Sequence, residues 1–155
     1  LYLFVFVSIV FFVESIQFSS PKYKLFIFYS IIIGVNSDIG GYIFGKIFKG
    51  KKLTKISPNK TISGSIGSFI FSLFTIPIFI TNLSYINLSL LILITLVISF
   101  VSQLGDLFVS YLKRSAKVKD TGNILPGHGG ILDRIDGIIF AVPIGFFLLN
   151  IISNI

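Results

Sequence analysis

Apolar residues run through this chain in long blocks, with the polar residues gathered between them. A membrane-spanning helix needs about 20 mostly apolar residues, and the blocks are read against that length. Residues 1–13 are too short alone and read as the end of a span cut short. Residues 14–24, with Ser-Ser-Pro, form a connection, and 25–48 form a second span interrupted by Asn36, Ser37 and Asp38. A basic loop at 49–60 ends in Ser-Pro-Asn-Lys, and a third span over 61–80 starts among small residues. After an uncharged turn at 81–87 comes a long fourth helix at 88–112, with Gln103 and Asp106 in its last third. A polar loop at 113–130 precedes the last span, 131–151, which begins with two aspartates. The predicted fold is an all-α polytopic transmembrane bundle of about five spans, a single membrane-embedded domain over 1–155.

Composition agrees. The chain is 54% hydrophobic and 12% charged, against about 25% charged in soluble domains, and its mean hydropathy is +0.95. With no cysteine, disulfides and thiolate metal sites are excluded. There is also no methionine, and Leu1 stands inside an apolar run. Residue 1 is therefore expected not to be the native start.

A net charge of +7 would suggest nucleic acid in a soluble protein, but in a membrane chain Lys and Arg first set topology. Residues 46–60 hold six lysines, residues 113–134 three lysines and two arginines, residues 14–24 two lysines and residues 81–87 none. The alternation is expected to put both basic loops on the cytoplasmic side and the C-terminus outside. Nucleic acid is not an expected partner. Most of the lysines at 46–60 read as topology signals and anionic-lipid contacts. Lys60, beside a Gly-rich helix start, is the exception.

The acids carry the chemistry. Five of the six, Asp38, Asp106, Asp120, Asp133 and Asp136, lie in or beside the cytoplasmic halves of the spans. An Asp near the centre of a span costs about 2.5–3.5 kcal/mol on insertion scales, so intramembrane acids are functional by default. Asp106, Ser110 and Lys113/Arg114 follow at steps that share one helix stripe. Asp133 and Asp136 share another at the start of the last span. Antiparallel packing would join three carboxylates, which repel unless a cation sits among them. Oxygen-only ligands suit Mg²⁺, whose shell is completed by water and substrate phosphates. Lysines and Arg114 nearby suit a polyphosphate. The backbone of Pro126-Gly127-His128-Gly129-Gly130 suits phosphate oxygens. Phosphoryl or nucleotidyl transfer at a membrane surface is the reading that results. The Gly34, Asp38, Gly41, Gly45 stripe reads as close helix packing, with Ser63/Gly67 and Gly64/Ser68 as similar stripes in the third span.

Two regions carry a family resemblance. The first is Ser110-Tyr-Leu-Lys113-Arg114, then Lys119-Asp120, then Leu125-Pro126-Gly-His128-Gly129-Gly130-Ile-Leu-Asp133-Arg134-Ile-Asp136. It resembles the signature of the phosphatidate cytidylyltransferase (CDP-diacylglycerol synthase) family, with every fixed position filled. The second is Asn36-Ser-Asp38-Ile-Gly-Gly41-Tyr42, Phe44-Gly45-Lys46 and Ile56-Ser57-Pro58-Asn59-Lys60-Thr61, which is similar to the family's upstream motifs. Where the family usually carries an acid before the glycine after Lys-Thr, this chain has Ser63, so no carboxylate stands there. The resemblance covers roughly residue 25 to the C-terminus. It implies a polytopic membrane enzyme that converts CTP and phosphatidate to CDP-diacylglycerol and pyrophosphate with Mg²⁺, at the head of bacterial phospholipid synthesis.

Residues and resemblance together suggest roles. Asp106 and Asp133 are expected to bind metal, with Asp136 a third ligand or its neighbour, and a second cation stays open. Lys113, Arg114 and Lys119 are expected to hold phosphates of CTP or the phosphatidate headgroup. Asp120 would orient the basic loop or touch the second ion, while His128, Gly129 and Gly130 shape the phosphate pocket and Arg134 and Ser110 contact substrate. Asp38, Ser57 and Lys60 would line the site from the other helices. Other lipid acceptors of isoprenoid or archaeol type remain open, as do a homo-oligomer and a transporter using the acids as a cation path. A CDP-alcohol phosphatidyltransferase fits worse, because the chain has no Asp-Gly-x-x-Ala-Arg run.

Overall fold

A computed structural model describes residues 21–54, 57–118 and 135–152. Its helices are α1 (Pro21–Phe48), α2 (Ile62–Leu73), α3 (Ile76–Phe79), α4 (Leu88–Ser115) and α5 (Ile138–Ile152). Among the described residues there is no strand, only an antiparallel bridge between Lys52 and Thr61. Three segments are long and apolar enough to cross a membrane: Pro21–Phe48, Ile62–Phe79 and Leu88–Ser115. The expected span at 1–13 lies outside the described residues.

Two expectations change in detail. The third span is not one helix. Its C-cap is Phe74, and Pro77 stands near the start of α3. Proline has no N–H to give to the carbonyl four residues back, so the helix breaks there. The break is closed by Asn36, whose Nδ2 donates to Thr75 Oγ1 at 2.9 Å. The last helix is also shorter than predicted. It has 15 residues and contains Pro143, and it starts after a turn at Asp136 and Gly137. Phe140 and Ala141 donate their N–H groups to Gly137 O at 3.2 and 3.1 Å, so the first helical turn forms around the glycine. Asp136 therefore stands ahead of the helix rather than on its first-turn stripe.

Helix starts follow from their caps. Thr61, in extended conformation, accepts from the N–H of Gly64 at 3.1 Å, and Asn87 accepts from Ser89 at 3.2 Å. Each satisfies an N–H that has no partner within its own helix.

α1 is the hub, packed on α2, α4 and α5. Its contact with α2 is backbone-close. A Cβ on Gly41 would sit 2.7 Å from Ser68 Oγ, one on Gly64 2.7 Å from Gly41 O, and one on Gly67 2.7 Å from Gly40 O. Association in lipid has no hydrophobic drive between helices, and small residues supply the van der Waals contact instead. Gly34 meets α5, where its Cβ would lie 3.0 Å from Ile138. The stripe predicted as packing is packing, with Gly40 an added member.

The apolar core gathers at one end of the bundle: Phe26, Tyr29, Ile33, Phe79, Leu83, Leu91, Ile94, Ile98, Phe146 and Leu149 are buried together. Within and next to it lie polar clamps. Tyr29 and Thr95 hydroxyls bond at 2.6 Å, Ser37 and Ser99 at 3.1 Å, and Ser68 donates to Ser37 O at 2.7 Å. The outer surface carries exposed Phe28, Ile66, Phe74, Leu93, Phe100, Phe108 and Phe147, an apolar coat that suits acyl chains and not water.

Candidate functional site

The end of the bundle opposite the core is polar. Beyond α1 the chain turns at Lys49 (φ 41), then doubles back. Ile62 donates to Lys51 O at 2.9 Å, Leu53 to Lys60 O at 2.8 Å, and Lys60 to Ser57 O at 3.1 Å. This tight return aims Lys60 inward, just before the Thr61 cap starts α2.

A cavity of about 360 Å³ opens there. Asp38, Gly41 and Tyr42 of α1, Ser57, Asn59, Lys60 and Thr61 of the return, Gly64, Ser65 and Ser68 of α2, Gln103 and Asp106 of α4, and Asp136 contribute to its wall. The sequence-predicted residues Asp38, Ser57, Lys60, Asp106 and Asp136 are thus brought together from distant parts of the chain. Lys60 Nζ forms an ion pair with Asp106 Oδ2. Lys113 Nζ lies 3.5 Å from Asp136 Oδ2, both largely buried. Ser110 Oγ donates to Asp106 Oδ1 at 3.5 Å, at the outer limit of a hydrogen bond, as the four-residue step predicts. Asp136 Oδ1 also accepts from the Gly137 N–H at 3.0 Å.

Not every predicted residue joins this group. Arg114 sits in the last turn of α4, exposed and outside the cavity wall. Lys119, Asp120, His128, Gly129, Gly130, Asp133 and Arg134 lie outside the described residues.

The sequence assigns no site role to Tyr42, Asn59, Thr61, Ser65, Ser68 or Gln103, although all line the cavity. Thr61, Ser65 and Ser68 follow at helical steps of four and three, the one signal that marks a polar face on α2. Gln103 precedes Asp106 by one turn. Its Oε1 accepts from Ser65 Oγ across the α2–α4 contact, while its Nε2 is buried without a partner. An orphaned buried donor costs about 1–3 kcal/mol.

The donor set bears on metal binding. Three carboxylates, Asp38, Asp106 and Asp136, and the Lys60 ammonium share one cavity wall, while Lys113, outside that wall, pairs with Asp136. All available ligands are oxygens, which fits a hard divalent cation. Among the described residues, no three acids or histidines stand close enough to form a ready-made metal site; the signature's Asp133 is not among them. Charges of both signs around one cavity suit an anionic ligand carrying its own cation.

The profile of the cytidylyltransferase family matches residues 1–152. A phosphatidate cytidylyltransferase of Bacillus subtilis (strain 168) is 47% identical over 131 residues, 83% of this chain and 48% of that protein. One from Staphylococcus haemolyticus is 46% identical over 130 residues, and one from Staphylococcus aureus (strain COL) likewise, each covering 82% of this chain and 48% of the relative. The chain spans about half the length of the curated relatives it matches.

Proposed function

Because this chain belongs to the cytidylyltransferase family, we propose that it serves the transfer of a cytidylyl group from CTP to phosphatidate, giving CDP-diacylglycerol and pyrophosphate. A phosphatidate oxygen attacks the α-phosphorus of CTP. The bond from that phosphorus to the bridging oxygen breaks, and pyrophosphate leaves. The observation that carries this reading is the cavity whose wall holds the Lys60–Asp106 pair and Asp136, the latter paired from outside the wall by Lys113. It brings cations and carboxylates together at the polar end of an otherwise apolar bundle. Catalysis of this kind is mainly positioning and charge neutralisation.

In this reading the chain acts as one membrane-embedded unit. Lys60 and Lys113 bind phosphate oxygens, with Arg114 and Lys119 beside them. Asp38, Ser57 and Ser110 position substrate, and Asp120, His128, Gly129, Gly130 and Arg134 complete the phosphate pocket. Asp106 and Asp136 would hold Mg²⁺ with Asp133. Bound there, the ion would supply charge neutralisation for the pyrophosphate leaving group. The charge of the basic loops supports a cavity on the cytoplasmic face of a bacterial inner membrane. A transmembrane ion path is less well supported, since the buried apolar cluster from Phe26 to Leu149 fills the opposite half.

The test is incorporation of labelled CTP into lipid by membranes carrying the protein, supplied with phosphatidate and Mg²⁺. Label in CDP-diacylglycerol that disappears with Asp106→Asn is expected. Label appearing only with an isoprenoid acceptor would overturn phosphatidate as the substrate, and no label with either acceptor would overturn the transfer itself.

A further inference from the structure

Two buried side-chain atoms among the described residues lack any hydrogen-bond partner, Ser102 Oγ and Gln103 Nε2. Ser102 sits where α4 crosses its neighbours, with Gly34 and Gly137 packed against it, so its orphan hydroxyl follows from close packing. Gln103 is different, because it lines the cavity. Its Oε1 is held by Ser65 Oγ, and Ser65 lines the cavity too. That bond fixes the carboxamide plane and uses its acceptor. What remains is a donor at the cavity wall with no acceptor among the described residues. Native proteins keep such a group where something else supplies the acceptor.

Position narrows what that is. Gln103 and Asp106 are three apart on α4 and share a face, with Gln103 one turn deeper into the bundle. Lys60 and Asp106 lie at the outer level, and Asp38 and Asp136 share the deeper level with the neutral amide, since Ser37 bonds Ser99 and Gly137 packs on Ser102. Resting on the transfer reading for the identity of the substrates, we propose that Gln103 is a substrate-binding residue whose Nε2 donates to an acceptor atom of the bound substrate. Two sources offer that chemistry: N3 or O2 of the cytosine ring, and a phosphoryl oxygen of phosphatidate. A donor fixed opposite ring position 3 accepts cytosine and opposes uracil, which carries N–H there. On that arm Gln103 also sets the choice of base, because a site built to hydrogen-bond one partner rejects the partner lacking the group.

The test is steady-state kinetics of the protein in membranes, wild type against Gln103→Leu, with CTP, UTP and phosphatidate varied in turn. The expected result is a rise of about tenfold in KM for one substrate with kcat held within about twofold. A rise for CTP with loss of discrimination against UTP identifies the base. A rise for phosphatidate alone identifies the lipid phosphate. Unchanged KM for both substrates in a folded variant overturns the inference. Should Gln103→Leu fail to accumulate, Ser65→Ala decides, since it frees the carboxamide without removing it. A rise of about threefold in one KM supports the inference, and no change overturns it. If the wild type makes no CDP-diacylglycerol, the transfer reading falls by itself. Thermal shifts with CTP and with phosphatidate vesicles then decide: a shift in wild type lost in Gln103→Leu supports the inference, and equal responses overturn it.

Discussion

Lys60 and Asp106 form an ion pair across 46 positions of sequence, one from the return ahead of α2 and the other from the last third of α4. Both side chains are about one-quarter exposed (26% and 25%), so the pair sits at the cavity wall and not on an open surface. Replacing Lys60 with Ala leaves the Asp106 carboxylate without its counter-charge and removes the cation proposed to bind phosphate. Transfer from labelled CTP is expected to fall by roughly 100-fold or more, the scale of losing one electrostatic stabiliser. Lys60→Arg, which keeps the charge in a different shape, should retain part of the activity. An unchanged kcat/KM in Lys60→Ala would remove Lys60 from the site.

Gly67→Ala tests the α1–α2 contact. Its Cβ would meet Gly40 O at 2.7 Å, beside the Phe44 ring, so the helices must separate. A loss of about 1–3 kcal/mol is expected, as for overpacking elsewhere, read as earlier denaturation in detergent. Ile66→Ala, next door but 54% exposed on the outer face, should change little.

Tyr29→Phe removes the hydroxyl that bonds Thr95 at 2.6 Å. Thr95 keeps its donation to Leu91 O at 2.7 Å, so no donor is stranded. The expected loss is about 0.6 kcal/mol, the average for interhelical hydrogen bonds in membranes. Because this pair lies in the core opposite the cavity, transfer activity should stay within about twofold of wild type.

Removal of divalent cations with a chelator should abolish transfer, and Mg²⁺ should restore it. With oxygen ligands alone, thiophilic ions such as Cd²⁺ should restore it poorly. Full activity in chelator, measured by lipid label, would show that the carboxylates act without a metal.

Much of this architecture can be read from the residues, because its signals are local. Apolar length marked α1 and α4 to within a few residues of their ends, and the step from Asp106 to Ser110 placed both on one stripe. Pro77 was equally visible, yet its effect depends on Asn36 of another helix bonding Thr75 in the gap. The Lys60–Asp106 pair joins two elements with no sequence relation, so only packing discloses it. Gln103 and Ser65 were overlooked for a similar reason. A neutral polar residue in an apolar helix has many uses, and only the orphaned amide singles this one out. Arg114 shows the converse, a residue of the signature that stands exposed and outside the cavity wall.

α1 and α4 each have 28 residues, about 42 Å of helix against a hydrocarbon layer of about 30 Å. About 12 Å must be taken up by tilt or stand among the headgroups, and the residues at that end of α4 are Lys113 and Arg114. A cavity carried at this level meets two solvents at once. In the proposed transfer a water-soluble nucleotide would arrive by three-dimensional diffusion and the lipid sideways within its own leaflet. The lipid then need never be lifted out of the bilayer, and the energy of extracting its chains does not enter the reaction barrier.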